Sequence, residues 1–410
     1  MKTRSISAAA ALRALVPVLG LTQIIGYGTS YYAFPILAPA VAREFALGEP
    51  VLFGLLSAGL LLGGLTAPAL GSLLDRLGAA RVMGWGSLGM AVLFALRALS
   101  PNIFVFGALT LAIEVLSFAV LYDAAFALLA QKRPDDTRGA ITRLTLIAGF
   151  ASTLFWPASH WLLEQFGWRG TQAIFAALHL LCAGLHFALM RLPAAAPQPV
   201  PRAPGQGRAE PPAPLPEASA RRAFWLLALG FALTGMALSA ITVHLVGILQ
   251  ARGLGQVAYL AAMVMGPAQV AVRLVDATFW RGLHPLYVAL VAAGAVFVAI
   301  GLLFLPGPAA PLAFAFAMIF GAGSGLSSIV RGAVPVALFG AGGLGLRLGK
   351  LAAVRNLLGA SAPFLFAALS RSQSMGLASF AALVLALAGL LALLLLRRDL
   401  GRLGVLGGRG

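Results

Sequence analysis

The sequence predicts an all-α membrane protein of twelve transmembrane helices arranged as two six-helix bundles. Three observations carry that prediction. Of the 410 residues, 60% are hydrophobic and only 10% charged, with a mean hydropathy of +0.94, a composition far from that of a soluble domain. Charges fall in clusters, and the stretches between them repeatedly reach the roughly 20 apolar residues that a helix needs to cross a bilayer core. A proline-rich segment divides the chain into equal numbers of such stretches.

No charge interrupts the chain between Arg13 and Arg43, Glu49 and Asp75, Arg143 and Glu164, or Arg222 and Arg252. The run from Arg281 to Arg331 is too long for one crossing, and Pro306, Gly307, Pro308 and Pro311 cut it into two. Spans are therefore predicted at 14–40, 50–73, 81–98, 102–129, 140–163 and 170–190 in the first half. The second half gives 223–250, 256–280, 284–305, 311–338, 347–370 and 376–396. Helix is the spanning structure because each backbone group must be satisfied within its own segment, and the apolar runs are too continuous for barrel strands.

The net charge of +17 would point to nucleic acid in a soluble protein, but its placement decides otherwise. With a cytoplasmic N-terminus, twenty Lys and Arg residues fall on the inner side and five (Arg43, Arg97, Arg169, Arg252 and Arg371) on the outer, which puts both termini in the cytoplasm. The protein is thus expected in the inner (cytoplasmic) membrane, multi-pass and embedded in the lipid bilayer, with no nucleic-acid partner. The first span is too long for a signal peptide and lacks a clear cleavage site, so it reads as an uncleaved anchor. The single cysteine, Cys182, excludes an internal disulfide and a cysteine-based metal cluster.

Residues 191–222 hold nine of the 24 prolines and almost nothing able to form a core, so they read as a cytoplasmic linker. The predicted organisation is a bundle over 1–190, the linker, a bundle over 223–396 and a cytoplasmic tail over 397–410.

The loop between the second and third spans runs from Gly71 through Asp75, Arg76 and Gly78 to Arg81. Its glycines permit close helix packing and a tight turn, and Asp75 can pair with basic groups or cap a neighbouring helix terminus. This run resembles the loop signature of the major facilitator superfamily, with Ala79 and Ala80 where that family usually carries basic residues. With the six-plus-six split, the resemblance extends over essentially the whole chain. It implies a secondary transporter, not an enzyme, working by alternating access about a site between the halves, without a cofactor. Breaking the loop contacts would favour that motion. Helix 5 has Gly149 and Pro157 without the paired glycines of the superfamily's drug antiporters, and Phe166, Gly167, Trp168, Arg169 and Gly170 are similar to the branch that includes monocarboxylate and oxalate carriers.

Ionisable groups inside spans need a partner or a wet cavity. Glu114, near the centre of the fourth span, is the candidate proton-coupling carboxylate, the other reading being a packing residue. Asp123 lies nine positions later, on the opposite face of a continuous helix, where it reads as a second candidate or as a gate partner for loop charges or Arg143. Gln269, Arg273 and Asp276 share one helix face, and Ser324, Ser327, Ser328 and Arg331 another. On helices that line the cavity in the resembled family, Gln269, Arg273 and Arg331 would suit a carboxylate, which guanidinium binds in a forked geometry. Arg273 pairing with Asp276 and Arg331 reaching to the membrane surface are the alternatives. Gln23, Tyr27, Ser30 and Tyr31 form a stripe on the first span that either lines the substrate path or anchors at the interface.

Thr142, Thr145, Gly149, Ser152 and Trp156 read as a packing seam, and His179 and His186 as packing or helix-end residues, since no further ligand has metal-site spacing. The predicted activity is movement of a small organic anion coupled to protons or another ion, by a monomer. Export of a drug-like compound is the runner-up, and a non-transporting membrane sensor is the reading from another class.

Overall fold

The computed structural model describes residues 2–192, 216–307, 310–372 and 374–406, and everything regular in them is helix. Most of the predicted linker, residues 193–215, and the last four residues of the predicted tail lie outside the described residues. All twelve predicted spans fall on helix, and nine runs among the described residues are long and apolar enough to cross a membrane. The two numbers differ where the chain bends.

The first predicted span is α1 (Lys2–Tyr27), one wide turn over Gly28–Tyr32, and α2 (Phe34–Glu44). Pro35 has no N–H for the carbonyl four residues back, and the helix shifts register, with the Ala33 N–H donating to the Gly28 carbonyl at 2.9 Å. The second and third spans are α3 (Glu49–Leu77) and α4 (Ala79–Ala98), joined at Gly78, whose φ of 84° favours glycine. The fourth divides into α5 (Ile103–Ser117) and α6 (Tyr122–Lys132). Ser117 donates its hydroxyl to the Glu114 carbonyl at 2.7 Å, and the next amides fold back by three residues rather than four.

Thr137–Ala148 form α7, and Ala151–Met190 form one helical run, α8, kinked at Gly167 (φ 64°). The fifth and sixth predicted spans therefore merge into a run that length alone counts once. Next come α9 (Glu217–Ala251), α10 (Val257–Thr278), α11 (Pro285–Leu302) and α12 (Ala310–Phe339). The eleventh span is again two helices, α13 (Leu344–Gly359) and α14 (Ala362–Ser372). α15 runs over Met375–Arg402, so the predicted tail begins as helix.

The chain forms two compact units. The first comprises the described residues of 1–132, 137–193 and 341–361, and its core includes Phe94, Phe106, Phe155, Trp168 and Phe175. α13 therefore packs with the first six spans, against α3, although it comes from the second half of the sequence. The second unit takes the described residues of 133–136, 194–340 and 362–410, with Ile241, Ile248, Phe316, Phe320 and Phe366 in its core.

Lipid is as apolar as leucine, so burial alone does not hold such helices together; close packing and polar contacts do. Small residues make the close approaches. A Cβ on Gly321 would lie 2.6 Å from the Met265 carbonyl, and one on Gly325 2.7 Å from that of Gln269, which places the α10 and α12 backbones in contact.

Candidate functional site

The loop predicted from its glycines and aspartate is closely fitted against α13. Leu344, Gly345 and Leu346 open α13, after Gly343 at φ 63°. Their amides have no partner within the helix. Asp75 Oδ1 accepts from the Gly345 N–H at 2.9 Å and Oδ2 from the Leu346 N–H at 2.8 Å, so one carboxylate caps a helix of the other sequence half and meets its dipole. Gly71 makes this possible: a Cβ there would collide with the Gly345 carbonyl, and one on Gly345 with the Gly71 carbonyl. Gly349 lies in the same contact with Ala67. Arg76 and Arg81 are exposed.

Gln131 of α6 completes the turn. Its Oε1 accepts from the Ala79 N–H at 2.9 Å and its Nε2 donates to the Leu74 carbonyl at 3.2 Å, closing the end of α3 and the start of α4 with one side chain. Its sequence signal is only a lone amide beside Lys132.

Glu114 is 7% exposed on α5 and packs against α3, where a Cβ on Gly59 would lie 2.8 Å from its Cγ. A cation of α4, Arg97, reaches the same neighbourhood through Thr110. Charge placement assigns Arg97 to the outer surface, but the side chain is only 3% exposed. Its Nε and Nη2 donate to Gln172 Oε1 at 3.1 and 2.8 Å, its Nη1 reaches Thr110 Oγ1 at 3.4 Å, and its guanidinium lies 4.8 Å from the Phe94 ring centroid. Thr110 is one turn before Glu114, so the two charges share a buried polar patch. Arg97 escapes a sequence reading because it stands at the end of a span, where an exposed arginine is ordinary.

The opposite-face relation expected of Glu114 and Asp123 assumed an unbroken helix; α5 ends at Ser117, so it does not apply. Asp123 is 7% exposed, and its Oδ2 lies 3.4 Å from Arg355 Nη2 on α13. The sequence offered loop charges or Arg143 as its partner; the structure brings Arg355. α13 is thus tied to the first unit by a cap at its start and an ion pair near its end.

On the first span, Gln23 is fully buried and donates Nε2 to the Val120 carbonyl at 2.8 Å, which satisfies the backbone at the α5–α6 break. Tyr27 is half-buried against Tyr122, with ring centroids 4.6 Å apart, and Tyr31 is exposed. Ser30 is buried in the wide turn with its hydroxyl unbonded, beside Thr29, which bonds His179 Nε2 at 2.9 Å. His186 joins Ser87 at 2.9 Å and Thr22 at 3.0 Å. Both histidines therefore serve in hydrogen-bonded packing. The stripe predicted on the fifth span divides at the α7–α8 break: Thr142 and Thr145 are buried, whereas Trp156 is 57% exposed.

In the second unit Arg273 and Asp276 of α10 are 6% and 2% exposed, and Gln269 and Arg331 are half-buried. Arg273 Nε donates to the Gly325 carbonyl of α12 at 3.4 Å, across the close approach described above. Ser327 and Ser328 bond back to their own helix at 2.8 and 2.7 Å. The structure thus brings the α10 stripe to α12, and Arg331 Nε is itself buried.

A profile of the Major Facilitator Superfamily matches residues 19–280, well over half of the chain, and the chain belongs to that superfamily. The fold is similar to that in the crystal structure of the human organic anion transporter MFSD10 (TETRAN), with a TM-score of 0.70 and 19% sequence identity over 94% of this chain and 99% of that one. At that identity the likeness is one of fold. No curated protein matches the chain. The protein is a multi-pass membrane transporter for a small molecule, as the loop signature led one to expect, and not an enzyme.

Proposed function

We propose that this transporter moves a small organic anion across the inner membrane by alternating access, coupled to protons, with both termini in the cytoplasm. The observation that carries the substrate class is the buried arginine at the contact of α10 and α12: Arg273, 6% exposed, next to the half-buried Gln269 and on the helix paired with that of Arg331. A guanidinium kept in an apolar bundle is expensive unless an anion or a hydrogen-bonded partner repays its desolvation, and a forked donor fits a carboxylate. That the solved protein of similar fold is an organic anion transporter supports the same reading.

Proton coupling falls to Glu114, the buried carboxyl near the middle of its span, with Arg97 as its counter-charge. Gain of a proton by Glu114 would remove the negative charge from the buried patch in which Gln172 and Thr110 hold Arg97. Asp123 and Arg355 act as a second charge pair at α13, and Asp75 with Gly71 and Gly78 as the conformational latch at its N-terminus. Tyr27 and Tyr31 border the path from the first span.

The test is uptake into proteoliposomes of two panels, labelled small carboxylates and cationic drug-like compounds. Carboxylate uptake that falls more than about tenfold in Arg273→Lys, through loss of the fork, supports the proposal. Transport confined to the drug-like panel overturns the substrate class.

A further inference from the structure

We propose that the second unit carries a site for the phosphodiester headgroup of an anionic phospholipid, formed by Arg397 and Arg398 of α15 with Tyr287 of α11. The site lies apart from every residue assigned to transport above.

The apolar length of α15 ends at Arg397, and the chain turns back after Arg402. The Leu403 N–H donates to the Asp399 carbonyl at 3.3 Å, the Val405 N–H to the Leu400 carbonyl at 3.1 Å, and Gly404 takes φ 69°. The folded-back segment closes one side of a cavity of about 470 Å³, bounded by Tyr287, Leu394, Arg397, Arg398 and Leu406. The Arg397 guanidinium lies 5.5 Å from the Tyr287 ring centroid, which steadies a long side chain at the wall of the cavity. The acidic residue next in sequence, Asp399, is occupied elsewhere, its Oδ2 2.7 Å from Arg222 Nε. Among the described residues, neither Arg397 nor Arg398 is in an ion pair, and both are exposed.

Two features select a lipid over a free anion. Leu387, Leu391 and Leu394 continue the face of Arg398 along α15, and Val291 and Val298 continue that of Tyr287 along α11. These residues are exposed apolar side chains on two helices packed side by side. They offer a rail for acyl chains that begins at the cavity. Two guanidinium forks at its mouth suit a phosphodiester oxygen pair, and the positive-inside count places them at the leaflet rich in anionic lipid. Topology alone requires arginines here, but neither the fold-back nor the cavity.

The experiment is native mass spectrometry of the full-length protein in detergent, titrated with phosphatidylglycerol or phosphatidylcholine, alongside thermal shifts with inorganic phosphate. Phosphatidylglycerol is expected to bind at least about tenfold more tightly than phosphatidylcholine, and Arg397→Ala/Arg398→Ala to erase that preference. Arg191→Ala/Lys350→Ala, an equal loss of charge elsewhere, is expected to keep it. If the alanine variant does not fold, Arg397→Lys/Arg398→Lys retains charge and stem without the fork, and is expected to lose about threefold or more in affinity. Equal binding of the two lipids, or parental selectivity in the substituted proteins, overturns the site. An arginine-dependent stabilisation by inorganic phosphate without lipid selectivity overturns the lipid assignment.

Discussion

Asp75 accepts from two amides that lie 270 and 271 positions further along the chain, so one side chain couples the two halves of the sequence. A carboxylate offers both oxygens to the opening turn of α13, whereas an amide offers one. Asp75→Asn is expected to leave the Gly345 or Leu346 N–H without its acceptor, at a cost of about 1–3 kcal/mol. Hydrogen exchange at those two amides should quicken, and rates equal to the parent's would contradict the cap.

A second contact between distant segments lies outside the spans, where Arg169 donates to Glu44 Oε1 from Nε at 3.0 Å and Nη2 at 2.6 Å. Trp168 Nε1 donates to Glu44 Oε2. The hydrogen bonds from Arg169, helped by Trp168 and the Arg169 charge, hold the Glu44 carboxyl below its ordinary 4.5, outweighing the penalty of burial. A depressed folded-state value means that the contact stabilises the protein above the unfolded-chain pKa and is lost as pH falls through the folded one. The pair is more than a third exposed, so its worth is discounted to about 1 kcal/mol or less. Glu44→Gln should lower the melting temperature slightly near neutral pH and shrink the drop on acidification. Superimposable pH profiles for variant and parent would count against it.

At the scale of the element, the helices are shaped by where their backbone bonds are interrupted. Pro35 forces the wide turn at Gly28–Tyr32, Ser117 helps divide α5 from α6, and Gly167 kinks α8. The proline and the glycine stood in plain view in the sequence, but hydropathy averages across such breaks, so the predicted spans fall on helix without their bends. The crossing of α3 and α13 depends on two glycines placed against each other's carbonyls. Gly71→Ala should force that crossing apart at a cost of about 1–3 kcal/mol. It should also raise exchange at Gly345 and Leu346 as Asp75→Asn does, although the carboxylate is intact. A Gly71→Ala protein with parental stability and exchange would show that the approach is not tight.

For the whole molecule, the spans were legible because the need to satisfy every backbone group inside lipid is local to each segment. The loop signature was legible because its glycines and aspartate act at a fixed spacing. The partners were not. Nothing near Arg97 in sequence announces Gln172, 75 positions on, and nothing near Asp123 announces Arg355, 232 positions on. Long-range polar contacts in a bundle are set by which helix faces meet, and twelve apolar segments of similar composition do not specify that. Arg97 was therefore read as a surface charge, and Gln131 passed unnoticed, although both hold the first unit together.

The proposed coupling of proton movement to anion transport rests on one buried carboxyl, that of Glu114. It is tested most directly by uptake of a labelled small carboxylate into proteoliposomes with and without an imposed pH gradient, for the parent and for Glu114→Gln. The gradient is expected to drive the parent to accumulate substrate above its external concentration, whereas Glu114→Gln is expected to equilibrate substrate without responding to the gradient. Gradient-driven accumulation that persists in Glu114→Gln would contradict it.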